Sequence, residues 1–189
     1  MELMERKKLQ EVRLTRSVAI VGMMGVGKTT IGRRLAPRLR LKFKDADEAI
    51  EAAAGMSVAD LFTAHGEESF RRGETQVIDR LLNGPPIVLA TGGGAMAQPE
   101  TREIIKTKSI SIWLRADIDT IVKRATRRPT RPLLANGNPR ETIENLLQAR
   151  SGYYAEADIV IDSQKGPHKN TVDIIVNALR SYVEPEAKR

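Results

Sequence analysis

Residues 22–29 read "GMMGVGKT" and follow directly on an apolar run of strand length, "SVAIVG" at 17–22. Gly22, four residues, then Gly27, Lys28 and Thr29 form a glycine-rich loop between a strand and an amphipathic stretch, the setting in which backbone N–H groups wrap a phosphate. The physical reasons are separable. Glycines let consecutive N–H groups ring the anion at a helix N-terminus, Lys28 adds a point charge, and the Thr29 hydroxyl is a ligand for Mg²⁺. The loop residues Gly25, Val26, Gly27, Lys28, Thr29 and Thr30 are therefore expected to bind a nucleoside triphosphate, ATP.

A strand followed by such a loop and a helix commits the chain to alternating α/β architecture, and the rest of the sequence agrees. Strand-length apolar runs recur at 42–45, 86–91, 109–114 and 158–162. Between them, 3.6-residue periodicity marks helices at 30–40, 57–66, 75–82, 118–125, 141–154 and 170–183. This alternation predicts a parallel sheet with helices on both faces, and ligands bind such sheets at the carboxyl ends of the strands. Apolar residues make up 41% of the 189 and aromatics only 4%, so the core is expected to be aliphatic. Trp113 falls in the fourth strand and reads as core. One domain over 16–183 is expected, with an N-terminal extension at 1–15 and a C-terminal tail at 184–189.

Several chemistries are excluded early. The chain has no cysteine, so disulfides, thiolate nucleophiles and Cys-ligated zinc are out. His65 and His168 lack companions at metal-ligand spacing and read as surface residues. The charged first 16 residues do not resemble a signal peptide, and no apolar run approaches bilayer length, so a soluble cytoplasmic protein without a membrane role is expected. The net charge is +7, and residues 121–140 hold six cations and no acid. Such a block suits a nucleic-acid patch or a phosphate-facing loop. Three prolines and the lack of interleaved aromatics favour the loop.

The acids and arginines that could complete a site lie elsewhere. The run "IVLATGGGA" (87–95) ends in threonine and glycines, where many phosphate-loop proteins carry a magnesium-supporting aspartate. The acid must then come from "KDADEAIE", where Asp45 and Asp47 close the second strand. Asp45 with Glu48 also reads as an N-capping box, and both roles can coexist. Three consecutive glycines, Gly92, Gly93 and Gly94, are worth their entropy where φ is positive or something approaches the backbone closely. Arg71 and Arg150 could face the same crevice. For Arg71 the spacing equally fits a surface pair with Glu67, as for Glu68 and Arg72.

The motifs "GMMGVGKTT", "FKDADEAIE", "GEESFRRGE", "ATGGGA", "RPLL" and "ARSGYY", in this order and spacing from about residue 16 to 183, resemble those of shikimate kinases. The resemblance implies a three-layer α/β P-loop kinase fold with a five-stranded parallel sheet in the order 2-3-1-4-5 and a mobile lid. It implies phosphorylation of the shikimate 3-hydroxyl with ATP and Mg²⁺ by a monomer. It further implies that Asp47 holds the acceptor hydroxyl and that Asp45 supports magnesium through water, beside Thr29. Arg71 and Arg150 would grip the shikimate carboxylate, Gly92–Gly94 would contact the ring hydroxyls, and Glu74 would orient Arg71. Arg131, in a lid over about 127–138, would join Lys28 and Asp47 in catalysis and reach the ATP phosphates; Arg124 would back the nucleotide. A gluconate or other sugar-acid kinase of the same fold is the alternative, and a nucleic-acid-binding protein a more distant one.

Overall fold

The strands are β1 (Ser17–Val21), β2 (Lys42–Asp45), β3 (Ile87–Ala90), β4 (Ser109–Arg115) and β5 (Ile159–Asp162). All pair in parallel, in the order β2-β3-β1-β4-β5. The computed structural model describes residues 14–126, 138–163 and 166–183. Both the sheet order and the strand positions agree with the sequence reading.

Alternation along the central strand decides which helices cover which face. Val18 and Ile20 face a layer built by α1 (Lys28–Arg38) and α7 (His168–Val183), through Ile31, Leu35, Val172, Ile175 and Leu179. Ala19 and Val21 face the opposite layer. It is made by α3 (Val58–Leu82), α4 (Pro99–Lys108) and the end of α6 (Pro139–Tyr154), through Ile78, Leu82, Ile105 and Tyr154. Burial on both faces explains why β1 from Val18 onward and all of β3 are apolar rather than alternating. A third cluster joins Met23 to Ile121 and Ala125 of α5 (Ile118–Ala125) and Ile143 of α6, anchoring the phosphate-loop end of the sheet. Leu14, within the stretch read as an extension, packs against the first of these layers. Among the described residues no helix is long and apolar enough to cross a membrane.

Several local expectations change. The helix α4 has no counterpart in the sequence reading, because "PETREIIKTK" offers only two apolar residues; Pro99 at its first turn and Glu100 beside it are the signals that mark its start. Trp113 is half-buried rather than core, with its ring near that of Tyr154 and the Arg115 guanidinium over it. His65 is exposed, whereas His168 is half-buried, and burial with Arg34 and Arg124 nearby lowers its pKa. The helix end expected at Gly66 is present as a break with a non-helical φ of 76°, so α3 is two helical segments joined at a kink, the second beginning upstream of the expected Thr75.

Gly73, inside α3, has no tertiary role that its small size explains. A Cβ there would meet nothing within 4 Å, so close packing beside Arg71 is not its reason. Gly73→Ala should therefore stabilise the fold by about 0.5–1 kcal/mol, through helix propensity and a less disordered unfolded chain. Thermal melting should register this as a rise in Tm of about 1–4 °C; an unchanged or lower Tm would mean that the position is constrained in some other way.

Candidate active site

The loop between β1 and α1 takes the conformation its glycines permit. Gly25 and Gly27 have φ of 80° and 106°, and a Cβ on Gly25 would stand 2.9 Å from the Ile121 carbonyl oxygen. Lys28 Nζ donates to the Gly22 and Met23 carbonyls at 2.7 and 3.0 Å, so the cation is held over its own loop. Arg124 of α5 donates to the Val26 carbonyl at 3.2 Å. Val26 contributes only backbone here, because its side chain is buried in the core.

The second strand brings two carboxylates to the same crevice. Asp45, at the end of β2, accepts a hydrogen bond from the Asp47 amide at 3.0 Å and caps the helix α2 (Ala46–Ala54). Its other oxygen accepts from the Thr29 hydroxyl at 2.7 Å, so the two oxygen groups proposed for magnesium touch. Glu48 does not complete the expected capping box. It pairs with Arg33 of α1 instead, and that ion pair ties α2 to the helix of the phosphate loop. Asp47 is held above the usual aspartate range, first by burial and then by the neighbouring Asp45; Lys28 acts in the opposite direction.

Arg71 resolves the ambiguity left by its spacing. The expected bond to Glu67 exists, at 3.1 Å, yet the side chain is only 7% exposed. Its main partner is Glu74, whose Oε2 accepts from Nη1 at 2.7 Å and whose carboxylate is fully buried. The guanidinium also lies over the rings of Phe62 and Phe70, at 5.6 and 5.2 Å, which adds cation–π attraction. Glu68 and Arg72 form the exposed pair predicted for them.

The glycine triplet sits where these groups converge, and close approach is its reason, since none of the three has positive φ. A Cβ on Gly92 would lie 2.5 Å from Glu74 Oε1 and 3.1 Å from Asp47 Oδ1, one on Gly93 3.0 Å from the Met24 amide nitrogen, and one on Gly94 inside the Arg71 guanidinium. Arg150, buried on α6, donates to the Gly93 carbonyl at 3.2 Å. Glu74 Oε1 is buried without a hydrogen-bond partner. Its burial raises the Glu74 pKa, against the pull of Arg71.

All these groups line one cavity of about 760 Å³, with the phosphate loop, Asp45, Asp47, Arg71, Gly92–Gly94, Arg124 and Arg150 on its walls. That volume suits two small ligands. Arg131 and nearly all of the predicted lid fall outside the described residues. Sequence reasoning missed Phe62 and Phe70, whose rings meet at 4.4 Å across the kink at Gly66, so no regular helical spacing marks the pair. It also missed Tyr154, four residues beyond Arg150, whose hydroxyl reaches the Gly93 carbonyl.

Comparison with known proteins gives one answer. The family model described as Shikimate kinase matches residues 24–180. The chain is similar to a shikimate kinase of Bradyrhizobium diazoefficiens, 52% identical over 89% of this chain and 81% of that one. It is 48% identical to one of Paramagnetospirillum magneticum, over 98% and 95% of the two chains. Among solved structures, the shikimate kinase of Acinetobacter baumannii in complex with shikimate superposes with a TM-score of 0.87 at 35% identity, over 93% of this chain and 97% of that one.

Proposed function

Because the chain belongs to the shikimate kinase family, we propose that its cavity seats a triphosphate and shikimate side by side, with Asp47 between them. The reaction is transfer of the terminal phosphoryl group of ATP to the 3-hydroxyl of shikimate, giving shikimate 3-phosphate and ADP, a step in making aromatic amino acids. One observation carries the assignment of sites. The phosphate loop, Asp47 and two buried arginines flanking a glycine turn all open onto one cavity of this chain.

The roles follow from the chemistry of each group. Backbone N–H groups of residues 25–30 and Lys28 take the phosphates, and Arg124 holds the loop from behind. Arg71 and Arg150 grip the shikimate carboxylate, where a planar fork outperforms an ammonium because it can donate two parallel hydrogen bonds. Glu74 fixes the Arg71 fork. Asp47 accepts the hydrogen bond of the attacking hydroxyl and takes its proton late, since phosphoryl transfer needs alignment and charge neutralisation more than a strong base. Thr29 and Asp45 offer hard oxygen ligands that fit Mg²⁺, Asp45 through water, and the ion would neutralise phosphate charge there. Arg131 would add charge from the lid on closure. On this reading the enzyme works as a monomer in the cytoplasm without a nucleic acid or membrane partner.

Asp47 must be ionised to accept the proton, and its pKa is raised. Turnover should therefore be lost as pH falls through a value above the ordinary 3.8, the acid limb of the kcat profile lying on the neutral side of a free aspartate. A limb at or below the ordinary value would contradict this role. The function itself is tested by coupled ADP release with shikimate, gluconate or AMP as acceptor. Turnover with shikimate is expected, and turnover confined to gluconate would replace the assignment with the sugar-acid alternative.

A further inference from the structure

The Gly93 carbonyl receives two donors. One is Arg150, assigned above to the acceptor. The other is the hydroxyl of Tyr154, a residue with no solvent exposure. Tyr154 packs in the apolar layer with Val21, Leu89, Ala95, Met96 and Ile105, its ring 5.8 Å from that of Trp113. Phenylalanine would fill this space as well, and a buried hydroxyl is costly unless paired. Besides the carbonyl and the neighbouring Arg150 guanidinium, the hydroxyl stands 3.9 Å from Met23 Sδ, a weak acceptor at the start of the phosphate loop.

We infer that Tyr154 is a positioning residue for the acceptor site, its hydroxyl fixing the plane of the Gly93–Gly94 peptide against which Arg71 and Arg150 are set. The inference rests on the acceptor reading above. In a planar trans peptide the Gly93 carbonyl and the Gly94 N–H point in opposite directions, so holding one aims the other. Gly94 backs directly onto the Arg71 guanidinium, and Gly93 onto the Met24 amide. One hydroxyl therefore braces the contact between the acceptor wall and the phosphate loop.

The frame around this strut is tied independently. Arg102 of α4 donates to the Met96 and Ala97 carbonyls just past the triplet, at 2.8 and 3.2 Å. It also pairs with Glu156 at 3.3 Å and lies 4.5 Å over the Tyr153 ring at the end of α6. The turn and α6 cannot slide together to replace a lost hydroxyl. Burial raises the Tyr154 pKa, which keeps the phenol a donor.

The test is Tyr154→Phe in the full-length enzyme. A three- to tenfold rise in KM for shikimate is expected, with KM for ATP within twofold of wild type, and the amide resonances of Gly93 and Gly94 should shift while that of Gly84 does not. An unchanged shikimate KM, or equal changes in both KM values, would overturn the inference, because a general loss of packing has no reason to single out the acceptor. Should the variant fold poorly, unshifted Gly93 and Gly94 amides in its folded fraction would overturn it too. Wild-type enzyme that fails to bind shikimate by calorimetry would instead overturn the acceptor assignment itself.

Discussion

Asp47→Asn should lower kcat by about three orders of magnitude, in the range lost when a positioned proton acceptor is removed, while ATP affinity changes by less than about threefold. The substitution keeps the shape of the side chain and removes only its charge and basicity. The group feels the charges of both Asp45 and the phosphate-loop lysine, with Gly92 directly beside it. An amide there can still accept the substrate's hydrogen bond but cannot take its proton. Nucleotide affinity should persist because Lys28, Thr29 and the loop amides are untouched. The paired measurement is steady-state turnover beside ADP or ATP titration by calorimetry. A near-normal rate would remove Asp47 from the mechanism, and loss of ATP binding would mean that the carboxylate instead shapes the nucleotide site.

Arg71→Ala carries two costs that separate experimentally. Losing a charge-assisted contact to the acceptor carboxylate should weaken shikimate binding by about 1.5–3 kcal/mol, roughly tenfold to more than a hundredfold. Deleting the cation also leaves the Glu74 carboxylate without a hydrogen-bond partner, when its second oxygen already has none, and with only the charge of Arg150 to attract it. Breaking a buried pair from one side costs about 3–5 kcal/mol. Glu74 can soften this by taking a proton, as burial already raises its pKa, so a loss near the lower end is expected. The double variant Arg71→Ala with Glu74→Gln should recover part of the stability and none of the shikimate affinity. Recovery of both would make the arginine structural; a stability loss with unchanged shikimate affinity would return it to the surface-pair reading.

How far the sequence reaches is clearest at Arg71. The spacing of Glu67 to Arg71 and of Glu68 to Arg72 is compatible with an exposed helix face, and both pairs do form. What spacing along one helix cannot register is the approach of a distant turn. Gly94 covers the guanidinium, and Glu74 is sealed beneath Gly92. The glycine triplet itself was legible as a place of close approach, but the groups approaching it come from the phosphate loop, α2, α3 and α6. Glu48 misled for a related reason, because a local capping partner was outcompeted by Arg33 on a neighbouring helix.

The sequence by itself determined the strand and helix alternation, the phosphate loop and the chemical kind of each candidate group. Those features depend on the period of apolar residues and on glycine at fixed offsets, which are local properties of the chain. Only the tertiary structure decided that Asp47, Arg71 and Arg150 share one cavity wall, that Glu74 is buried with one oxygen unpaired, and that Tyr154 reaches the Gly93 carbonyl. These depend on parallel strands bringing their carboxyl ends to one edge, where residues tens of positions apart exclude water from each other and so change one another's charge and hydrogen bonding.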